Sequence, residues 1–279
     1  MDWKGREQSQ NVEDRRGSSG GGGGGRTPGI LGIIVVLIGA YYGVDLSGLV
    51  GTPSMGTGST QTSQLKPQEE AELNELARVV LADTEKAWGS YFKQIGRTYT
   101  PTTLVLYNGG TSTACGMGQS AMGPFYCPGD QKVYLDLDFY RDMQTKLNSA
   151  SDAAFAYVIA HEVGHHVQNL LGILPKVHRM QQQVDKKEAN ALSVKLELQA
   201  DCYAGIWGHY AVNNNIFKAE DITKAMLAAE SVGDDRLQKD GQGYVVPDSF
   251  THGSSEQRMA WLKRGLDSGD INQCNTFGN

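Results

Sequence analysis

The run Ala160-His161-Glu162-Val163-Gly164-His165-His166 holds two histidines and a glutamate in the spacing His-Glu-x-x-His. On a helix, His161 and His165 stand one turn apart, so both imidazoles face one point and can bind one Zn²⁺ ion. Glu162 sits beside them, placed to take a proton from an attacking water rather than to hold the metal. Gly164 removes side-chain bulk where another element can pack closely. A second cluster follows at Glu197-Leu198-Gln199-Ala200-Asp201. Glu197 and Asp201 are also one helical turn apart. Their neighbours Leu196, Leu198, Ala200 and Ala204 are apolar, which places both carboxylates near the interior, where they need partners. Glu197 completes a His₂Glu ligand set with a fourth position left open. Asp201 accepts the outward ring N–H of a ligating histidine and fixes its tautomer. Either motif alone occurs by chance, and a lone Glu-x-x-x-Asp is ordinarily a solvated helix face. Together they point to one zinc ion per chain.

These residues need helices to hold them. Ser151 is an N-cap for a helix over residues 152–171, stopped by Gly172 and Pro175. Residues 185–212 form the second helix. Leu73, Leu76, Val80, Leu81 and Trp88 recur at helical spacing and predict a helix over 68–96. Thr103 to Tyr107 is a short strand-type run, and Lys132 to Leu137 alternates like a strand. Further helices are expected at 139–147, 220–231 and 254–267. The class is α+β, mostly helical with a small mixed sheet. The stretch from Tyr126 to Leu137 is a candidate edge strand for backbone pairing with a substrate; the alternative is an ordinary inner strand.

The chain has 279 residues, a net charge of −6 and 35 glycines. Sixteen of those glycines precede residue 66, so the excess belongs to the N-terminal quarter. No block of Lys and Arg awaits phosphates, and nucleic acid is not an expected partner. Residues 1–28 are polar and glycine-rich and read as a disordered cytoplasmic tail. Residues 29–50, from Gly29 to Val50, are apolar but for Asp45 and form one N-terminal transmembrane anchor. A cleaved signal peptide and a buried core helix are the alternatives. Arg15, Arg16 and Arg26 precede the span and no Lys or Arg follows until Lys66, which predicts a cytoplasmic N-terminus and an outer body. Residues 51–66, rich in Gly, Ser and Thr, are a flexible linker. The folded body is expected over 67–279.

Four cysteines, Cys115, Cys127, Cys202 and Cys274, suit disulfides in an oxidising compartment. Three pairings are open. Cys115 with Cys127 would close a short glycine-rich loop, and Cys202 with Cys274 would fasten the C-terminal tail to a helix.

The stretches AHEVGHHVQ, LELQADCYAG, CGMGQSAMGPFYCPGDQKVYLDLDFY and FTHGSSEQRMAWLKRG resemble the bacterial family of putative neutral zinc metallopeptidases, membrane-anchored proteins with a periplasmic-type catalytic domain. The two motifs together are also similar to the gluzincin group, which includes the CAAX prenyl endopeptidases. In that group a Thr-His-Pro segment followed by Arg lies near the active site. Here the matching residues are Thr251-His252-Gly253 and Arg258. The resemblance implies a zincin-like metallopeptidase domain in the inner membrane, single-pass, acting on protein or peptide. His161, His165 and Glu197 would hold Zn²⁺, and Glu162 would act as general base. His252 is the candidate for stabilising the oxyanion, with Arg258 as a second candidate or a structural cation paired with Glu256 or Asp201. His166 is left outside the site. Two other functions fit the same residues: a non-proteolytic zinc-containing binding or chaperone-like protein, and a hydrolase of cell-wall peptides.

Overall fold

The computed structural model describes residues 1–17 and 63–278. Helix α1 (Pro67–Gln94) opens with Pro at its first position and Glu69 and Glu70 in its first turn, where the helix dipole favours them. It buries Leu73, Leu76, Val80, Leu81, Trp88 and Phe92. A four-stranded sheet runs in the order β1 (Val12–Asp14), β2 (Thr103–Tyr107), β6 (Lys132–Asp136), β5 (Phe125–Cys127). The first three are parallel, with Thr103 opposite Lys132 and Tyr107 opposite Asp136. Strand β5 pairs antiparallel with β6 and forms one edge. Strands β2 and β6 are buried almost throughout, as inner strands of a covered parallel sheet must be. A separate hairpin joins β3 (Gly110–Thr113) to β4 (Gly116–Gln119).

The remaining helices are α2 (Phe139–Thr145), α3 (Asp152–Leu170), α4 (Ile173–Gln181), α5 (Lys186–Asn213), α6 (Ala219–Ser231), α7 (Asp234–Gln242) and α8 (Ser255–Ser268). Helix α3 begins where the sequence predicts, with Ser151 Oγ accepting from the amide of Ala154. It is the centre of the molecule: α1, α5 and α6 all pack on it. Gly164 is the reason α5 can lie so close. A Cβ there would stand 3.1 Å from the Ala200 carbonyl oxygen. The helix that carries the histidines and the helix that carries Glu197 are thus held nearly backbone to backbone.

The α+β class and the mixed sheet are as expected, and several particulars are not. Residues 1–17 are not a disordered tail. Trp3 is buried and donates its indole N–H to Asp152 Oδ2 at 2.7 Å. Val12–Asp14 adds a parallel strand to the open edge of β2. Composition hides this because a polar strand on a sheet edge is held by its backbone ladder, and only Trp3, Met1 and Val12 supply apolar contact with the core. Residues 18–28 and the anchor at 29–50 lie outside the described residues. Among the described residues no helix is long and apolar enough to cross a membrane. Of the linker at 51–66, residues 63–66 belong to the body: Ser63 Oγ donates to Asp138 and Leu65 is buried. Pro175 does not end the helical region. It sits in the first turn of α4, where it lacks only an N–H that has no helical partner. The stretch from Tyr126 to Leu137 is two strands, β5 at the edge and β6 inside, separated by the turn at residues 128–131.

Both disulfides are present: Cys115–Cys127 and Cys202–Cys274. The first closes the hairpin region onto β5, and the second ties the 3₁₀ turn Ile271–Cys274 to α5.

Candidate metal centre

Helices α3 and α5 bring His161, His165 and Glu197 together, with one ligand atom from each within 4.8 Å of the others. Both imidazole Nε2 atoms face the same carboxylate, His161 at 3.0 Å and His165 at 3.2 Å. Both Nδ1 atoms point away from that centre. His161 Nδ1 donates to Asp201 Oδ1 at 2.8 Å, and His165 Nδ1 donates to Gln168 Oε1 at 2.8 Å. With each Nδ1 committed to an outward hydrogen bond, Nε2 is the nitrogen that each ring would offer to a metal. Two imidazole nitrogens and one carboxylate at this separation are the donor set that tetrahedral zinc takes with one position open.

The electrostatics are those of a site built for positive charge. Burial works against a charged His161, yet Asp201 and Glu197 outweigh it and hold its pKa up at about 10. Burial works against the Glu197 carboxylate too, but His165 and His161 hold its pKa well below the usual value. Asp201 is fully buried and kept at about 2, because Arg258 and His161 overcome its desolvation. Glu162 differs from these. Burial raises its pKa, and the neighbouring histidines only partly oppose the shift. A carboxyl moved toward neutrality in this way suits a group that must accept and return a proton.

These residues line a cleft of about 350 Å³ that is also bordered by Phe125, Tyr126, Leu174, Leu196 and Val232. His252 reaches the same cleft. Its Nδ1 stands 3.3 Å from Asp234 Oδ1, and Asp234 Oδ2 accepts the backbone N–H groups of Thr251, His252 and Gly253. Gly253 has φ +94°, which the fixed ring of proline forbids. The glycine in place of the gluzincin proline is therefore a different backbone path at this loop. Arg258 also borders the cleft, but its guanidinium is spent on Asp201 Oδ2 at 2.8 Å and Oδ1 at 3.0 Å. Of the two expectations for Arg258, the structural pairing with Asp201 is present.

A family described as putative neutral zinc metallopeptidase matches residues 1–277. The chain belongs to that family. The Escherichia coli K12 protein YpfJ, called uncharacterized, is 54% identical over 287 residues, covering 100% of this chain and 99% of that protein. The Mycobacterium bovis protein Mb2605 and the Mycobacterium tuberculosis H37Rv protein Rv2575, both also called uncharacterized, are each 39% identical over 222 residues, covering 74% of this chain and 73% of theirs. No solved structure matches the chain.

Sequence reasoning missed several residues of this site. Tyr157, one turn before His161, donates its hydroxyl to Asp201 Oδ1 at 2.6 Å. Gln168 lies three residues after His165, and helical spacing alone could have named it. His166, left outside the site from the sequence, is indeed outside the metal cluster and the cleft lining; it is fully buried and joins Thr100 to Tyr126 of β5. Asp234 carried no signal, because it meets the 251–253 loop only through the fold.

Proposed function

We propose that this metallopeptidase-family chain is a zinc-dependent endopeptidase that works outside the cytoplasm, attached to the membrane through residues 29–50. The observation that carries the catalytic part is the convergence of His161, His165 and Glu197 within 4.8 Å, in a cleft that also holds Glu162. Those three residues would hold one Zn²⁺. Bound there, zinc is a Lewis acid that makes water nucleophilic near neutral pH and polarises a carbonyl. Glu162 takes the proton of the attacking water and delivers it to the leaving amide nitrogen. His252, held by Asp234 at the cleft, donates toward the developing oxyanion. Asp201 and Gln168 keep the two imidazoles in the ligating tautomer. The edge position of β5 beside the cleft suits an extended peptide paired along Phe125–Cys127. Two disulfides and no free cysteine support an oxidising compartment.

The test is a comparison of wild type with Glu162→Gln, each assayed for zinc content and for cleavage of an unfolded protein and of a cell-wall peptide, with and without chelator. Both should carry zinc, and only wild type should cleave. Equal cleavage by Glu162→Gln, or cleavage that survives complete removal of zinc, overturns the proposal. A wild type that binds zinc and cleaves neither substrate favours a binding role.

A further inference from the structure

His165 is the start of a buried chain of hydrogen bonds that ends at a disulfide. Its Nδ1 meets Gln168 Oε1 at 2.8 Å. Gln168 Nε2 donates to the Leu196 carbonyl at 2.8 Å and to Gln199 Oε1 at 3.0 Å. Gln199 Nε2 donates to the carbonyl of Cys274 at 3.0 Å. Cys274 is bonded to Cys202, three residues beyond Gln199 on α5. Gln168, Gln199, Cys202 and Cys274 are all buried.

The direction of this chain is forced. A carbonyl only accepts, so Gln199 must turn its amide nitrogen to Cys274 and its oxygen to Gln168. Gln168 must then turn its nitrogen toward Gln199 and Leu196, and its oxygen toward His165. His165 has no choice but to carry a proton on Nδ1, which leaves Nε2 as the nitrogen that faces Glu197 and His161 and would bind a metal. We propose that Gln168 and Gln199 are positioning residues for the ligand His165, and that the Cys202–Cys274 disulfide anchors the far end of their chain. The disulfide thereby sets metal affinity as well as stability. Asp201 does the corresponding work for His161 in a single contact; for His165 the contact is with Gln168, which Gln199 ties in turn to the C-terminal turn.

This inference rests on His165 being a zinc ligand. It is tested by the zinc Kd, from competition with a chromophoric chelator, for wild type, Gln168→Leu, Gln199→Leu and the pair Cys202→Ser with Cys274→Ser. Circular dichroism at the same temperature checks that each variant is folded. Outer-shell losses of this kind weaken metal binding by ~10–100-fold. Gln168→Leu should fall in that range, with Gln199→Leu and the serine pair weaker by a smaller factor. Adding the serine pair to Gln168→Leu should bring little further loss, since the chain is already cut. Folded Gln199→Leu and serine-pair proteins with the wild-type Kd overturn the inference. Wild type that takes up no zinc refutes the proposed function instead.

A second inference comes from the N-terminal arm. Arg16 Nη1 pairs with Glu70 Oε1 at 2.9 Å, and Lys132 Nζ pairs with Glu13 Oε2 at 2.7 Å. Asn11, Val12 and their neighbours enter the ladder of β2. We infer that residues 1–17 and 63–278 fold in one compartment, in place of a cytoplasmic N-terminus with the body outside. A single crossing between residues 18 and 62 would keep β1 and β2 on opposite sides of a bilayer. Arg15 and Arg16, the charges that suggested a cytoplasmic tail, pair with Glu13 and Asp14 within the arm, and reach the body through Arg16 to Glu70 and Arg15 to Thr111 Oγ1 and the Ser112 carbonyl.

With no free cysteine among the described residues, a cysteine-reactive probe reads only an introduced thiol. Gln10→Cys and Lys187→Cys, both at exposed positions, are treated in intact spheroplasts with a membrane-impermeant maleimide. Labelling of both supports the inference. Labelling of Lys187→Cys in intact spheroplasts with Gln10→Cys reached only after lysis overturns it. Labelling of both only after lysis supports the shared compartment and refutes the extracytoplasmic location.

Discussion

Arg258 on α8 grips Asp201 on α5 through two hydrogen bonds, Nε to Oδ2 at 2.8 Å and Nη2 to Oδ1 at 3.0 Å. The same Oδ1 accepts from His161 Nδ1 and from the hydroxyl of Tyr157. Asp201 is completely buried, so its charge is tolerable only while these donors surround it. Removing the guanidinium should therefore cost about 3–5 kcal/mol, the usual penalty for orphaning one half of a buried ion pair. Arg258→Lys should recover little, because an ammonium cannot reproduce the two-point contact. Urea denaturation of the metal-free protein, followed by zinc titration, measures both consequences. A loss under 1 kcal/mol for Arg258→Ala would show that Asp201 finds its support elsewhere.

Asp83 on α1 is a buried acid without such help. It is 4% exposed, and its Oδ2 has no hydrogen-bond partner. Burial pushes its pKa up to about 6, with Lys86 and Arg6 pulling only weakly the other way. In the unfolded chain the group ionises near 3.8. Between those values the folded state holds the extra proton, so stability falls as pH rises through the window. The contribution is whole below about 4 and gone above about 6. Asp83→Asn should abolish this slope and stabilise the protein at pH 7 by on the order of 2–3 kcal/mol. Melting temperatures of both proteins from pH 4 to 7 decide it; parallel curves would refute the assignment.

The adjacent histidines should separate cleanly. His166 is neutral, since burial lowers its pKa. Its Nε2 donates to the Thr100 carbonyl at 2.7 Å and its Nδ1 accepts from the Tyr126 hydroxyl at 3.0 Å, which in turn accepts from Asn169. It fastens β5 to α3 without facing the metal. His166→Ala should keep zinc and lose about 2–4 kcal/mol of stability, from a cavity and two unpaired polar groups. His165→Ala should differ in the metal: a large loss of zinc affinity, which His166→Ala should not show. Metal analysis and denaturation of the two variants side by side make the comparison, and zinc loss in His166→Ala would place that residue in the centre.

What the sequence made legible follows from how local each feature is. His161, Glu162, His165, Glu197 and Asp201 could be read because helical spacing alone puts each pair on one face. Gln168 obeys the same spacing, and only its lack of charge hid it. The arm could not be read from polarity: Val12–Asp14 gains its place from the ladder with β2, and Met1, Trp3 and Val12 are scattered in a polar run. Asp234 and the 251–253 loop meet only because α7 and α8 pack side by side. Cysteine count suggested two bridges, but pairing depends on Cys274 returning to α5, which no local pattern records.

That return depends on two glycines. A Cβ on Gly265 would lie 1.9 Å from the Cys202 carbonyl oxygen, and one on Gly205 would lie 2.2 Å from the Leu262 carbonyl oxygen. Helices α5 and α8 therefore touch backbone to backbone, closer than any side chain permits. Gly265→Ala must push them apart. Overpacking in a tight core costs about 1–3 kcal/mol, occasionally more, and contact between backbones leaves no flexible side chain to yield, so the upper end is expected. Helix α8 carries Arg258 and leads to Cys274, so the separation should also weaken zinc binding through Asp201 and through Gln199. Gly241→Ala in α7 is the control: nothing lies within 4 Å of its Cβ position, and the better helix propensity of alanine should leave stability unchanged or raise it by up to about 1 kcal/mol. Denaturation midpoints and zinc affinities of the two variants test the argument. Gly265→Ala with wild-type values for both would mean that the helices part without disturbing Asp201, and that their close approach serves packing alone.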